Sequence, residues 1–153
     1  RPGQGTARLD GSGNPLPLRR NLCCQVIAPT GTISRLAGCS FGIEPNYARR
    51  SVSYIVGGAF DEVHPLADDP CFVEARDVTV TQHIRTLAAF QRYTDQAVSK
   101  TLNLPHEATM QDVADAYIMA WKLGCKGTTV LREGSRDDVV LENTSCADGV
   151  CTF

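Results

Sequence analysis

An α/β fold with a βαβ crossover is predicted by three observations. Residues 97–131 read strand, helix, strand: the run "AVSKTLNLP", an apolar stripe at helical spacing from Val113, then "KGTTVL". A second helical stripe precedes them, from Thr81 to Thr94. A β-favouring run over 22–28 feeds into the polar stretch "APTGTIS". Strand, helix and strand in this order are satisfied by parallel strands joined through a right-handed crossover.

The elements follow in chain order. Residues 1–19 hold four Gly and three Pro with no periodicity, which predicts a flexible linker or arm. Residues 22–28 read as a buried strand. From Phe41 to Pro70 the breakers "GIEP", "GG", "HP" and "DDP" predict irregular chain, with a short strand at 51–56. In the next helix Ile84, Leu87, Ala88 and Gln91 share a face, with Phe90 alongside. Pro105 ends the strand that follows. Thr109 is a helix N-cap, and Asp112 complements the free amides three residues on. Val113, Tyr117, Ala120, Trp121 and Gly124 trace one face, with Trp121 packed on it and Gly124 ending the helix. The division is 1–19 as arm, 20–134 as folded domain and 135–153 as a mobile tail.

Composition excludes several classes of function. The chain has 153 residues, 42% hydrophobic and 21% charged, enough for one domain with a core. A net charge of −2 offers no broad basic face to a nucleic-acid polymer. No apolar run approaches the roughly 20 residues that cross a bilayer. No signal peptide is visible, and Arg1 rather than Met opens the sequence, so a processed product or a piece of something longer is expected. The seven cysteines are an odd number and form no C-x-x-C pair or zinc-finger spacing. Reduced thiols in a cytoplasmic protein are the expectation. His64, His83 and His106 have no metal-ligand spacing and read as structural or solvent-facing.

The stretch Pro29, Thr30, Gly31, Thr32, Ile33, Ser34 carries the chemistry of interest. Ligands of parallel α/β sheets gather at the carboxyl ends of strands. A helix starting there presents free amides and the positive end of its dipole, which suit phosphate oxygens. Gly31 permits close approach of an amide, and three hydroxyls stand beside it. The spacing is neither that of a Walker A loop nor of a Rossmann fingerprint. On these grounds alone the stretch is either a helix cap or an anion cradle.

The sequence "RNLCCQVIAPTGTISRLAGCSFGIEP" resembles ribonucleotide reductase large subunits, most of all the adenosylcobalamin-dependent class. Three further blocks agree in order and spacing: "EVHPL" (62–66), "HIRTLAAFQRYTDQAVSKTLNLPHEAT" (83–109) and "DVADAYIMAWKLGCKGTTVLREGSR" (112–136). The resemblance covers about residues 20 to 136. It implies the C-terminal portion of a ten-stranded α/β barrel and radical reduction of ribonucleotides to deoxyribonucleotides. It further implies that Pro29 to Ser34 bind the substrate diphosphate.

Reductases of this family oxidise an active-site cysteine pair at each turnover. The resemblance implies that Cys146 and Cys151 reduce that pair by exchange and are recharged by thioredoxin or a similar donor. The intervening "ADGV" can bend until two Cα atoms lie roughly 4.4–6.8 Å apart. From Arg136 the chain extends on the order of 33–36 Å to Cys146. "CADGVC" looks closer to the tail of the diiron class than to most cobalamin-class tails, which leaves the redox partner open; a diiron-type radical source stands beside cobalamin as an alternative that fits the barrel blocks less well. Cys125 reads as a small core residue, Cys39 as packed beneath the loop, and Cys71 as a loop residue. Of the adjacent Cys23 and Cys24, at most one faces the interior. The carboxylate of Glu44 in "GIEP" holds backbone donors or lies near substrate, the former being favoured. Arg132 and Arg136 read as tail-anchoring charges.

The family's radical cysteine sits in an Asn-x-Cys-x-Glu motif, which these residues lack; Gln25 stands where "NLCC" would need its Glu. The expected role is therefore that of a component: substrate loop and redox tail, with the radical cysteine on a complementary chain. The alternative is a non-catalytic fragment that docks thioredoxin or a reductase.

Overall fold

A computed structural model describes residues 10–16, 23–55, 58–135 and 141–143. Helix α1 (Gly31–Ala37) comes first, then strands β1 (Arg50–Ile55) and β2 (Gly58–Val63). A short 3₁₀ turn (Ala75–Asp77) precedes α2 (Val80–Gln91), β3 (Thr101–Leu104), α3 (Met110–Lys122) and β4 (Thr129–Arg132). Strand β5 (Leu141–Asn143) is last. The architecture is α/β, as predicted.

The predicted βαβ unit is present. β3 and β4 are parallel, with Leu102 opposite Val130, and α3 connects them. Burial alternates along β3, so Leu102 and Leu104 point inward. They meet Ile84 of α2 and Ala116 and Ala120 of α3 in one apolar cluster. Val113, Met119, Cys125 and Val130 pack around it. Small residues at 116 and 120 let α3 lie close to α2.

Both long helices begin with reciprocal caps. The Thr109 hydroxyl accepts from the Asp112 N–H at 3.2 Å, and Asp112 accepts from the Thr109 N–H at 2.8 Å. Thr79 and Gln82 repeat the arrangement on α2. Helix α3 ends on Gly124, whose φ of 79° is glycine's left-handed region, and the Cys125 N–H reaches back to the Ala120 carbonyl. Buried Gln91 closes α2: its Nε2 donates to the carbonyls of Thr94 and Gln96, and its Oε1 accepts from the Lys126 N–H.

A second sheet has the antiparallel order β2-β1-β5. The register pairs Arg50 with Val63 and Ile55 with Gly58, leaving a two-residue hairpin connection. Among the described residues the two sheets stay separate and no barrel closes.

Five expectations need correction. Residues 23–28 are an extended segment rather than a buried strand. Its one ladder contact is a parallel bridge between Ile27 and Val98, and Val26 is exposed. Flanked on one side only by described chain, it has one row of partners: Ser99 N–H to Ile27 carbonyl and Gln96 N–H to Gln25 carbonyl. In the stretch 41–70 the expected short strand is present as β1, and what needs correction is the second strand, β2, which pairs with it after the "GG" breaker. On α3 the buried line is Val113, Ala116 and Ala120, whereas Tyr117 is exposed and Trp121 is 75% exposed. Cys39 is likewise exposed. Within the segment read as a tail, residues 141–143 pair with β1. Arg136, Cys146 and Cys151 lie outside the described residues.

Candidate functional site

The loop Pro29–Ser34 follows the segment that pairs with residues 96–99 and opens α1. Thr30 is the N-cap, in a left-handed conformation with φ 55° and ψ 25°. It is the one non-glycine residue with positive φ among the described residues. A β-branched side chain there costs about 1–3 kcal/mol, a cost that persists only where surrounding contacts enforce it. The Thr30 side chain caps no backbone amide. Its Oγ1 instead accepts from the Ser34 hydroxyl at 3.0 Å, and Ser34 N–H donates to the Thr30 carbonyl at 2.9 Å.

The N–H groups of Gly31, Thr32 and Ile33 consequently find no acceptor among the described residues. They are not walled in. Gly31 and Thr32 are exposed, Ile33 is 64% exposed, and the space a Cβ would fill at Gly31 is empty. The loop therefore holds three consecutive amide donors with no protein acceptor among the described residues, on residues that are themselves exposed. Ser34 does not join them. It is buried, and its one proton is donated to Thr30.

The far end of α1 is fixed by Gly38, with φ 64°, and by the Cys39 N–H reaching the Ser34 carbonyl. Beyond it, Gly42 adopts φ 50° against the chain before the loop. A Cβ on Gly42 would come within 3.1 Å of the Ala28 carbonyl oxygen. Glu44 holds backbone, as favoured: its Oε1 accepts from the Thr101 N–H at 2.5 Å. Its Oε2 accepts from Lys100 Nζ at 2.6 Å.

Lys100 is the residue sequence reasoning missed here, while His83, read as structural or solvent-facing, proves to be structural. Lys100 is 2% exposed. The signal was present: Val98, Lys100, Leu102 and Leu104 alternate, so the inward face of the strand includes a cation that requires a partner. His83, on α2, is buried with neither ring nitrogen hydrogen-bonded. Burial, and then the Lys100 ammonium, hold its imidazole below the usual histidine range, against the opposing pull of the Ala75 carbonyl and Glu44.

A second polar centre braces the chain after the loop. Buried Glu74 accepts from the Arg49 N–H at 2.9 Å and from Arg76 Nε at 2.7 Å. The Arg49 guanidinium donates to the carbonyls of Ala67 and Phe72 and stacks on the Phe72 ring. His64 packs edge-on against the same ring and accepts from the Leu66 N–H. His106 lies in the loop after β3, where Arg132 donates to its carbonyl. Neither histidine has a metal-binding neighbourhood, and no metal-ligand cluster occurs among the described residues.

A cavity of about 460 Å³ opens between the first turns of α2 and α3. Its walls include Ile84, Leu104 and Met119, with Glu107 and Asp115 among its polar groups. Asp112 at its edge is committed to Thr109, whose hydroxyl and N–H hold that carboxyl below the usual range. Among the five described cysteines, Cys23 and Cys125 are half-buried while Cys24, Cys39 and Cys71 are exposed. Burial pushes the Cys125 thiol up, as suits an inert packing residue. No described helix is long and apolar enough to cross a membrane.

Comparison with known proteins gives the arrangement its context. Residues 65–131 match the family model described as ribonucleotide reductase, barrel domain. A vitamin B12-dependent ribonucleoside-diphosphate reductase of Mycobacterium tuberculosis is 38% identical over 160 residues, covering 83% of this chain and 23% of that protein. The reductase of the same description from Thermoplasma acidophilum is 37% identical, over 80% of this chain and 20% of its own length. A crystal structure of a B12-dependent, class II ribonucleotide reductase superposes with a TM-score of 0.57 at 23% identity, over 75% of this chain and 20% of that one. The chain thus spans about a quarter or less of the relatives it matches, and it shares their fold. Residues 65–131 thus belong to the ribonucleotide reductase barrel-domain family, and the fold of the chain agrees.

Proposed function

We propose that this chain supplies the substrate-phosphate loop of a ribonucleotide reductase acting on ribonucleotides. The observation that carries the reading is the run of unpaired amides on the exposed residues Gly31, Thr32 and Ile33 in the loop Pro29–Ser34. Backbone donors at a helix start favour an anion, and a diphosphate can engage several at once. Thr32 adds a hydroxyl donor from the exposed side. Thr30 and Ser34 shape the turn from beneath, and Pro29 leads the chain into it.

The finer roles extend the family resemblance and are part of the same proposal. Cys146 and Cys151 act as an exchangeable dithiol. One thiolate attacks a target disulfide, the other resolves the mixed disulfide, and two electrons and two protons pass to the target. A thioredoxin-type dithiol then restores the pair. The radical cysteine comes from a complementary chain or segment, since no Asn-x-Cys-x-Glu motif occurs here. Relatives named as vitamin B12-dependent point to adenosylcobalamin as the radical source of the complete enzyme. The described residues offer no face that fits such a group. The cavity between α2 and α3 is small and bordered by carboxylates, so no step here runs through the cofactor.

The test is a titration of the chain with a ribonucleoside diphosphate, followed by amide chemical shifts. The expected result is perturbation centred on Gly31, Thr32 and Ile33. Gly31→Ala places a methyl group in the empty approach without a backbone clash and weakens binding about tenfold or more. Shifts confined to other residues, or affinity unchanged in Gly31→Ala, would remove the phosphate-loop assignment.

A further inference from the structure

The loop is the outer part of a closed excursion whose two feet stand on adjacent residues of one strand. The upstream foot is Ile27, whose carbonyl accepts from the Ser99 N–H at 2.8 Å. The downstream foot is Glu44, which takes the Lys100 ammonium on one oxygen and the Thr101 N–H on the other. The intervening residues leave the strand and return within two positions of where they left. At the neck, Gly42 rides on the Ala28 carbonyl so closely that any Cβ would intrude.

Apolar packing does not explain how this excursion keeps its shape. Ser34 is the one buried residue of α1, while Leu36 is 90% exposed. The ion pair from Arg35 to Glu62, at 3.1 Å, is substantially solvated and contributes little. The polar foot is different in kind. Lys100 Nζ also donates to the Thr101 carbonyl, so Glu44 and Lys100 together read two consecutive residues. A one-residue slip of the foot along the strand would leave a buried ammonium unpaired, which is strongly unfavourable.

We propose that Glu44, Lys100 and Gly42 form a latch that sets the register and rigidity of the Pro29–Ser34 loop, with Glu44 and Lys100 as positioning residues. The latch rests on the phosphate-loop reading only in its consequence for binding; its mechanical part stands on the contacts themselves. Glu44 never touches the ligand. It acts by fixing where the amides of Gly31 to Ile33 point, so its loss loosens the loop while the βαβ core stays intact.

The test uses the full chain, with amide hydrogen exchange and inorganic pyrophosphate as the probe. Glu44→Gln keeps an oxygen for the Thr101 N–H but removes the charge that Lys100 requires. Gly42→Ala forces a Cβ against the Ala28 carbonyl and a strained φ. Each is expected to speed exchange across residues 31–39 about tenfold or more beyond any change at α3 and β4, and to weaken pyrophosphate binding comparably. The double variant Glu44→Gln/Lys100→Met leaves no orphan charge. It should recover global stability yet keep the loop in fast exchange, and it stands in should the single variant not fold. Unchanged exchange over 31–39 overturns the latch. So does acceleration shared equally by α3 and β4 and reversed everywhere in the double variant. If the unaltered chain binds no pyrophosphate at the loop, the phosphate reading falls and the exchange data alone decide the latch.

Discussion

Two regions share the strand that runs from Val98 to Leu104, and they are held to it by opposite means. On one side the βαβ unit is bound by side chains without polar atoms: Ile84, Leu102, Leu104, Ala116 and Ala120. On the other, the 28–43 excursion is bound by a carbonyl, a carboxylate and a glycine. The first arrangement tolerates small shifts because apolar contacts are non-directional. The second fixes a register, because each hydrogen bond has one geometry. A loop that must aim amides at a ligand benefits from the second kind of attachment, and a scaffold needs only the first.

The largest expected effect breaks the scaffold side of this comparison. Leu102 is fully buried at the centre of the cluster, so Leu102→Ala removes its contacts and leaves a cavity. A loss of about 2–5 kcal/mol in chemical denaturation is expected. A loss under about 1 kcal/mol would mean that β3 is not the centre of the core.

The same division decides what could be read from the sequence. The βαβ unit was legible because its elements are local and periodic: the α2 stripe, the Thr109–Asp112 cap and the Gly124 stop all came from spacing alone. Helix α3 shows the limit of that method. Tyr117 and Trp121 fall near the buried line of Val113, Ala116 and Ala120, and spacing does not say how wide the covered strip is. Close approach of α2 covers only the small residues. The Glu44–Lys100 latch joins residues 56 apart in sequence, and no local pattern pairs them. Alternation along the strand marked Lys100 as inward, but its partner could be named only once the excursion was seen to return. The hairpin at β1–β2 was missed for a different reason: a glycine pair signals a break in chain direction and equally a turn between strands.

Two caps sharpen the comparison at a smaller scale. Thr109 caps α3 from extended backbone with a reciprocal bond, whereas Thr30 precedes α1 in the left-handed region and caps nothing. Thr109→Ala is expected to cost about 1 kcal/mol in thermal or chemical unfolding. Thr30→Gly relieves the backbone strain and loses the Ser34 contact, so stability stays level or rises by up to about 1 kcal/mol. Equal losses at both positions would erase the distinction between a cap built for stability and one built for display.

His83 sits where the two regions meet, facing Lys100 and Glu44 from α2. Its folded pKa lies below the ordinary value of 6.5, so the unfolded chain binds the extra proton first. The neutral ring's contribution is fully present above pH 6.5 and is lost progressively as pH falls toward the folded value. His83→Leu abolishes that acid arm while changing stability at pH 7.5 by less than about 1 kcal/mol, since the only polar interaction lost is that with the Ala75 carbonyl, too poorly placed to count as a full hydrogen bond. Unfolding midpoints measured from pH 8 to 5 check it. An acid arm of undiminished slope below pH 6.5 in the variant would assign that slope to other groups.

Trp121 gives the smallest effect and the sharpest map of the scaffold's edge. A tryptophan inside a core costs about 3–5 kcal/mol when truncated. Here the ring is 75% exposed, one position beyond Ala120 and turned by one helical step from the buried line. Trp121→Gln keeps a good helix former and removes surface that the described residues do not cover, so stability should stay within about 0.5 kcal/mol. Trp121 is the single tryptophan, so its emission in the unaltered chain reads the same contact without a substitution. A solvent-like emission maximum, quenched readily by iodide, is expected. A shielded ring together with a loss of several kcal/mol would widen the covered strip of α3 to include residue 121. It would also extend the apolar mode of attachment around a helix face that the small residues at 116 and 120 otherwise define by themselves.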